Sequence, residues 1–381
     1  MKKDLGIYVH IPFCARKCDY CDFTSSPATP SEQAYYLRVL MKEIRGFEAL
    51  SNLYTVKTIY IGGGTPTLID PSQIGRILTQ LRDQYEVAWD AEISMECNPG
   101  TLTEEKLGVY QELGINRLSI GLQSANDEEL KLLGRIHTFS DFAHSFELAR
   151  KCGFNNINVD LMSGLPKQNL KKWSESLKAV TSLSPEHISA YSLAIEPGTP
   201  FYARYGSGAG QELLPSEEED RSMYRYTLLE LKDKGYQRYE ISNYAKPGFE
   251  CKHNLIYWTM KDYVGFGLGA ASYLNSRRFS NPKDMQEYRD YARAAYTDYR
   301  YMNPQSERSA MEEFMFLGLR MIDGISEAEF ETRFHVPFVR IYGTVANRFC
   351  ETGYLERKDG RLRLTEKGID VSNRILAEFL L

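Results

Sequence analysis

Residues 7–21, IYVHIPFCARKCDYC, decide the fold. Ile7 to Ile11 alternate β-branched and aromatic residues as a short strand does, Pro12 ends the run, and Cys14, Cys18 and Cys21 follow at once in the spacing CxxxCxxC. A strand that empties into a chemistry-bearing loop is how a parallel βα unit presents its functional residues. Working outward, the unit recurs. TIYIGG (58–63), EISMEC (92–97), RLSIGL (117–122), NINVDL (156–161) and HISAYS (187–192) read as strands, and helical periodicity fills 31–49, 71–83, 103–113, 126–151 and 169–183 between them. Asp70-Pro71, Thr101 or Thr103, and Ser140-Asp141 are the residue types that cap helix starts. The pattern predicts an α/β fold whose first part, residues 1–235, is a partial (β/α)6 TIM-like barrel.

Beyond the barrel the pattern changes twice. Residues 236–306 hold YEISNYA (239–245) and the glycine-rich DYVGFGLGAASY (262–273), read as a barrel extension that adds strands or a capping loop. From 307 to 381 come two or three helices, a GYLERKDGRLRLT hairpin turning at Asp359-Gly360, and a last helix. That outline is a C-terminal α+β winged-helix-like domain. A winged helix suggests DNA binding, yet these residues carry 11 Lys plus Arg against 13 Asp plus Glu, and phosphate contacts need clustered cations. The expectation is therefore no nucleic-acid partner.

Composition narrows the class further. The 381 residues are 43% hydrophobic and 25% charged with a net charge of −5, the proportions of a globular chain with no general attraction to polyanions. No apolar run approaches the ~18 residues needed to cross a bilayer, and the chain is read as cytoplasmic without a signal peptide. Seven cysteines are too sparse for a disulfide scaffold. Three thiolates on one loop can hold three corners of a cubane iron–sulfur cluster and leave the fourth iron open. A zinc loop completed by His10 or a distant cysteine is the other reading of the same thiols, although no second cysteine hook is present.

The remaining polar signals fall at the carboxyl ends of successive strands, where a barrel builds its site. Strand two ends in Gly62-Gly63-Gly64-Thr65-Pro66, strand three at Glu96, strand four at Gln123 and strand five at Asp160, with Arg135 shortly beyond strand four. Glycine lets a ligand approach the backbone, the three polar side chains suit amine, ribose and carboxylate groups, and Arg135 suits a carboxylate.

These motifs in order, YVHIPFCARKCDYC, GGGTPT, ECNP, GLQS, the Gly134-Arg135 pair and NVDLMSGLP, resemble radical S-adenosylmethionine proteins of the oxygen-independent coproporphyrinogen III oxidase family. The resemblance spans essentially the whole chain. It implies that Cys14, Cys18 and Cys21 ligate a [4Fe-4S] cluster whose open iron binds S-adenosylmethionine. It places Tyr8, Tyr20, Gly63, Gly64, Thr65, Glu96, Gln123, Arg135 and Asp160 at the family's S-adenosylmethionine-contacting positions.

Two departures separate the chain from the oxidases. Where those enzymes follow the third cysteine with Gly-Cys, this sequence has Asp22-Phe23, and it begins seven residues before Tyr8, without the oxidases' long N-terminal extension. CKHNLIYW (251–258) contains the HNxxYW motif that marks the HemW group of heme chaperones within the family. The resemblance then implies heme as cargo, respiratory-chain heme acceptors at the membrane and an electron donor for the cluster as partners, room for a homodimer, and at most a peripheral place at the inner membrane face. His253 is the heme-linked residue of this reading, with Tyr257 and Trp258 as flat apolar area and Cys251 as a second candidate iron ligand. Coproporphyrinogen oxidation is the alternative function. The cluster motif is the same whether S-adenosylmethionine is reductively cleaved or only bound.

Overall fold

A computed structural model of the chain describes residues 2–294 and 302–381; the part of the barrel extension at 295–301 lies outside the described residues. Six strands, β1 (Lys3–Ile11), β2 (Tyr54–Gly63), β3 (Glu86–Cys97), β4 (Arg117–Gln123), β5 (Ile157–Ser163) and β6 (His187–Ser192), pair in parallel and in sequence order. Helices α1 (Pro30–Gly46), α2 (Pro71–Gln84), α3 (Glu104–Glu112), α4 (Asp127–Leu132), α5 (Phe139–Lys151) and α6 (Leu170–Ser182) connect them. Parallel strands must return by a crossover, and an amphipathic helix packed on the sheet is the compact one.

The strands alternate strictly. Ile7, Val9 and Ile11 on β1, Ile59 and Ile61 on β2, Leu118, Ile120 and Leu122 on β4, and Ile157, Val159 and Leu161 on β5 are fully buried beneath the helices. At roughly 1.5–3 kcal/mol per buried aliphatic side chain, this outer face carries most of the barrel's stability. The intervening residues point into the lumen and are polar: Tyr8 and His10, Thr58 and Tyr60, Glu92, Ser94 and Glu96, Arg117 and Ser119, Asn158 and Asp160, His187 and Ser189. The lumen is thus a polar interior held by hydrogen bonds.

The helix read as one piece over 126–151 is two. Gly134, at φ 74°, ends the first turn sequence, and Asp19 packs where a side chain at 134 would stand. Asn126 caps α4; Thr138 caps α5 with Asp141 as its capping-box partner, so the cap lies two residues before the Ser140 expected from sequence. The break turns Arg135 back toward the strand ends.

Helices α7 (Pro200–Tyr205) and α8 (Glu217–Asp233) follow β6, and the extension then adds strands to both edges of the same sheet. β7 (Gln237–Arg238) and β8 (Asn243–Ala245) run antiparallel beyond β6. After α9 (Lys252–Trp258), β9 (Tyr263–Phe266) pairs in parallel with β1, and β10 (Ala271–Leu274), β11 (Arg277–Ser280) and, past α10 (Met285–Ala294), β12 (Met302–Pro304) continue antiparallel. The barrel sheet therefore has twelve strands among the described residues.

The C-terminal part packs α11 (Glu307–Gly318), α12 (Glu327–Phe334), α13 (Phe338–Glu351), α14 (Glu366–Ile369) and α15 (Ser372–Ala377) around a three-stranded antiparallel sheet of β13 (Ile325–Ser326), β14 (Leu355–Lys358) and β15 (Arg361–Leu364). Asp359 and Gly360, at φ 52° and 74°, make the expected two-residue hairpin turn. Its aromatic core of Phe314, Phe330, Phe334 and Tyr342 is continuous with Ile256, Met260 and Tyr273 of the barrel extension. Arg333 donates to Met260 O at 3.1 Å and to Tyr273 Oη at 3.0 Å across that junction. No helix among the described residues is long and apolar enough to cross a membrane.

Candidate functional site

β1 delivers its cysteines through a loop pinned by backbone hydrogen bonds. Ser26 N donates to Pro12 O at 2.9 Å and Cys14 N to Ser26 O at 3.2 Å, while Gly64 N and Thr65 N donate to Ile11 O and Phe13 O at 2.8 and 2.7 Å. A side chain at Gly64 would meet Phe13 O at 2.6 Å, so the close approach of the two loops requires glycine there. Cys14, Cys18 and Cys21 are free thiols bordering one cavity of about 440 Å³.

The thiols suit a cluster. A cubane takes one thiolate at each of three separate irons, which three thiols around one cavity can supply. Two sulfurs also have donors: Thr65 Oγ1 to Cys14 at 3.8 Å, and Arg135 Nη1 to Cys18 at 3.5 Å. Such donors stabilise electron-rich sulfur.

Around the same cavity stand Gly63, Gly64, Glu96, Gln123, Arg135, Asp160 and Tyr20. Glu96 accepts from Gly63 N at 2.8 Å and Tyr60 Oη at 3.1 Å. Burial, opposed by these hydrogen bonds and reinforced by Asp160, pushes its carboxyl up to about 7. Asp160, raised by burial, accepts from Asn158 Nδ2 at 2.8 Å and Ser119 Oγ at 3.2 Å. Gln123 ends β4 at φ 76°, a strained backbone for a non-glycine residue. Arg135 donates to Gly121 O and to Asn98 Oδ1, the latter at 3.0 Å, while its Nε is buried without a partner. An orphaned guanidinium N–H beside two acidic residues and glycine backbone suits a ligand with both carboxylate and ammonium groups.

Two of the expected residues stand elsewhere. Thr65 is buried behind Cys14, accepting from Asn98 Nδ2 at 2.8 Å, and so supports the cysteine loop. Tyr8 lies inside the lumen, its ring stacked on Tyr60 at 6.2 Å and its hydroxyl 3.0 Å from His10 Nδ1. Asn98, Ser119 and Tyr191 also border the cavity and were not singled out from sequence. Their signal was present: Ser119 and Tyr191 share the inward phase of their strands, and Asn98 follows Glu96 at the same spacing. Phe23, 62% exposed, borders the cavity where the oxidases place a cysteine.

His253 is placed apart from the thiol cavity. It is 1% exposed on the inward face of α9, at the amino-terminal end of the barrel, away from the thiols. Its Nδ1 pairs with Thr58 Oγ1 and its Nε2 with Tyr257 Oη, both at 2.7 Å, and its ring stacks on Tyr60 at 5.2 Å. Burial, with the Arg117 cation nearby, lowers its pKa to about 3. Glu92 fixes the helix start, accepting from Lys252 N at 2.9 Å and His253 N at 3.1 Å. Both imidazole nitrogens are hydrogen-bonded to hydroxyls, and the motif's histidine closes the polar floor of the barrel. Cys251 is fully buried in that floor, its thiol pushed up to about 12 by burial.

Comparison with known proteins agrees with this geometry. The radical SAM superfamily model matches residues 8–180 and the HemN C-terminal domain model residues 305–371. Coproporphyrinogen III oxidase (HemN) from Escherichia coli superposes with a TM-score of 0.84 over all of this chain and 90% of its own, at 24% identity, and shares the fold. Barrel, cysteine loop and C-terminal domain together define a radical SAM protein of the HemN type. Proteins named heme chaperone HemW from Lactococcus lactis, Bacillus subtilis and Escherichia coli are 36%, 37% and 37% identical, over 98–100% of this chain and 98% of each relative. The chain belongs to the HemW family.

Proposed function

We propose that this protein is a heme chaperone that carries a [4Fe-4S] cluster on Cys14, Cys18 and Cys21, binds S-adenosylmethionine beside it, and delivers heme to respiratory-chain proteins at the membrane. The observation that carries the reading is the full-length kinship to HemW together with Phe23 in place of the oxidases' additional cysteine. The cluster, when bound, supplies an open iron and a one-electron couple. The chain's own residues do the rest. Gly63 and Gly64 bring backbone to the ligand, Glu96 and Asp160 accept from amine and hydroxyl groups, and Arg135 Nε donates to a carboxylate. Thr65 and the Arg135 Nη1 hold the cysteine sulfurs. An external electron donor, an acceptor at the inner membrane face and a homodimer belong to the same proposal.

The test is to incubate anaerobically reconstituted protein with heme and, separately, with coproporphyrinogen III. Retention of about one heme per chain, released to membranes that contain an acceptor, is expected. Protoporphyrinogen formation at ordinary enzyme rates would overturn it in favour of the oxidase reading.

A further inference from the structure

The three cysteines share one loop, but its two ends are held by different parts of the chain. The Cys14 end is fixed to Ser26 and to the Gly64-Thr65 turn by backbone hydrogen bonds. Ala15, Arg16 and Lys17, in the middle, are exposed. The Cys18–Cys21 end is held through Asp19. Asp19 N donates to Leu133 O at the end of α4, and Asp19 O accepts from Phe201 N at the start of α7, both at 3.0 Å. The Asp19 carboxylate forms an ion pair with Arg204 of α7. Backbone donor, backbone acceptor and side chain of this one residue each meet a partner more than a hundred positions away.

An ion pair as open as this one, with side chains 42% exposed at Arg204 and 23% at Asp19, adds little to global stability. Its surroundings give it another role. The Arg204 guanidinium lies over the Phe201 ring at 5.3 Å from its centroid. Phe201 is fully buried with Leu133 and Leu165 in a small apolar cluster apart from the barrel core, and Tyr20 packs against that cluster with its ring 6.3 Å from Phe201. On its other side the Asp19 carboxylate fills the space beside Gly134, where a Cβ would meet Oδ1 at 2.9 Å. The next residue, Arg135, donates from Nη1 to Cys18 at 3.5 Å. A continuous set of contacts therefore runs from α7 through Arg204, Asp19 and the Gly134-Arg135 turn to a cysteine sulfur. The segment leading into α7 starts at Leu193, whose N donates to Ser163 O at 2.9 Å, and it supplies Leu193, Ala194 and Glu196 to the rim of the thiol cavity.

We propose that Asp19 and Arg204 are positioning residues of the cluster site: their ion pair ties α7 to the Cys18–Cys21 half of the loop and sets where Cys18 and Arg135 stand. Resting on the assignment of Cys14, Cys18 and Cys21 to a cluster, the tie makes the segment after β6 part of that site although it supplies no ligand. Without it Cys14 keeps its own anchors while Cys18 and Cys21 gain freedom, and the three thiols are no longer preorganised for one cubane.

The experiment reconstitutes the full-length protein anaerobically and follows iron release to a chelator by the loss of visible absorbance. Asp19→Ala and Arg204→Met each speed release by about tenfold, and Arg204→Lys, which keeps the cation, restores most of the wild-type rate. The double variant releases iron as fast as either single one, because both changes remove the same tie. Urea midpoints stay close to wild type. In the cluster-free protein, alkylation of Cys18 and Cys21, mapped by mass spectrometry, is faster in both single variants while that of Cys14 is unchanged. Hydrogen exchange on wild type, which needs no variant, slows at residues 201–205 together with 18–21 when the cluster is loaded, since Phe201 N is bonded to Asp19 O. Wild type that assembles no cluster overturns the cluster assignment itself, and the alkylation pattern then still decides whether Asp19 holds the thiols. Wild-type release rates in both single variants, multiplied effects in the double variant, midpoints that fall in step with release, or no slowing at 201–205 overturns the tie alone.

Discussion

The burial of His253 sets a pH dependence that can be measured. Its pKa is about 3 in the folded protein against 6.5 for free histidine, because burial and the Arg117 cation penalise the imidazolium. Above pH 6.5 the ring is neutral folded and unfolded, and it contributes no pH dependence. As pH falls from 6.5 toward 3 the unfolded chain binds a proton that the folded chain refuses, so stability is lost at up to ~1.4 kcal/mol per pH unit. Between pH 6.5 and 5 that amounts to roughly 1.5–2 kcal/mol from this one group. His10, His137 and His187 are lowered in the same direction, chiefly by burial, so the wild-type curve alone does not isolate it. The perturbation is His253→Gln, which removes the titration and leaves groups to meet Thr58 and Tyr257. The assay is urea unfolding of both proteins at pH 7, 6.5, 6, 5.5 and 5, with matched m-values. At pH 7 the variant is the less stable by about 1–3 kcal/mol, from imperfect hydrogen bonds in a buried site; by pH 5 that gap narrows or reverses. Parallel stability curves for the two proteins would refute the placement of a neutral, doubly hydrogen-bonded imidazole in the barrel floor.

Further expectations concern the cavity. Cys14→Ala, Cys18→Ala or Cys21→Ala abolishes the cluster's visible absorbance and its four irons per chain, while Cys152→Ala and Cys350→Ala keep both. Because the Glu96 carboxyl titrates at about 7 and its ionised form is the better acceptor for an ammonium, S-adenosylmethionine affinity falls as pH drops from 8 to 6, by up to about tenfold per unit below the pKa; calorimetry on Glu96→Gln gives weaker and flat binding. Gln123→Gly relieves a left-handed backbone worth about 1–2 kcal/mol and raises the unfolding midpoint in a thermal melt, while weakening the cluster's paramagnetic response to S-adenosylmethionine.

Much of this protein was legible in its residues. Each of the six strand assignments follows from a short run in which apolar residues alternate with polar or small ones, and the site could be read at the strand ends because parallel topology places all carboxyl ends on one side. CxxxCxxC is local enough that loop spacing alone brings three thiols to one cavity. The hairpin at Asp359-Gly360 is legible for the same reason, since two residues that tolerate positive φ set its turn.

What sequence could not supply is which side of an element faces what. HNxxYW announces an imidazole, a phenol and an indole, and each could meet a ligand; only the docking of α9 against β2 and β3 shows His253 spent on Thr58 and Tyr257 and its outer neighbours facing a cleft. Tyr8 and Thr65 likewise lie at motif positions, but their strand and loop turn them toward the lumen and the cysteine sulfur. The parallel pairing of β9 with β1 joins residues more than 250 apart, a contact that local propensity does not encode. Secondary structure and loop chemistry depend on neighbours a few residues away and can be read in order along the chain. The direction of a side chain within the folded protein depends on which distant surfaces bury together, and the tertiary structure alone decided it.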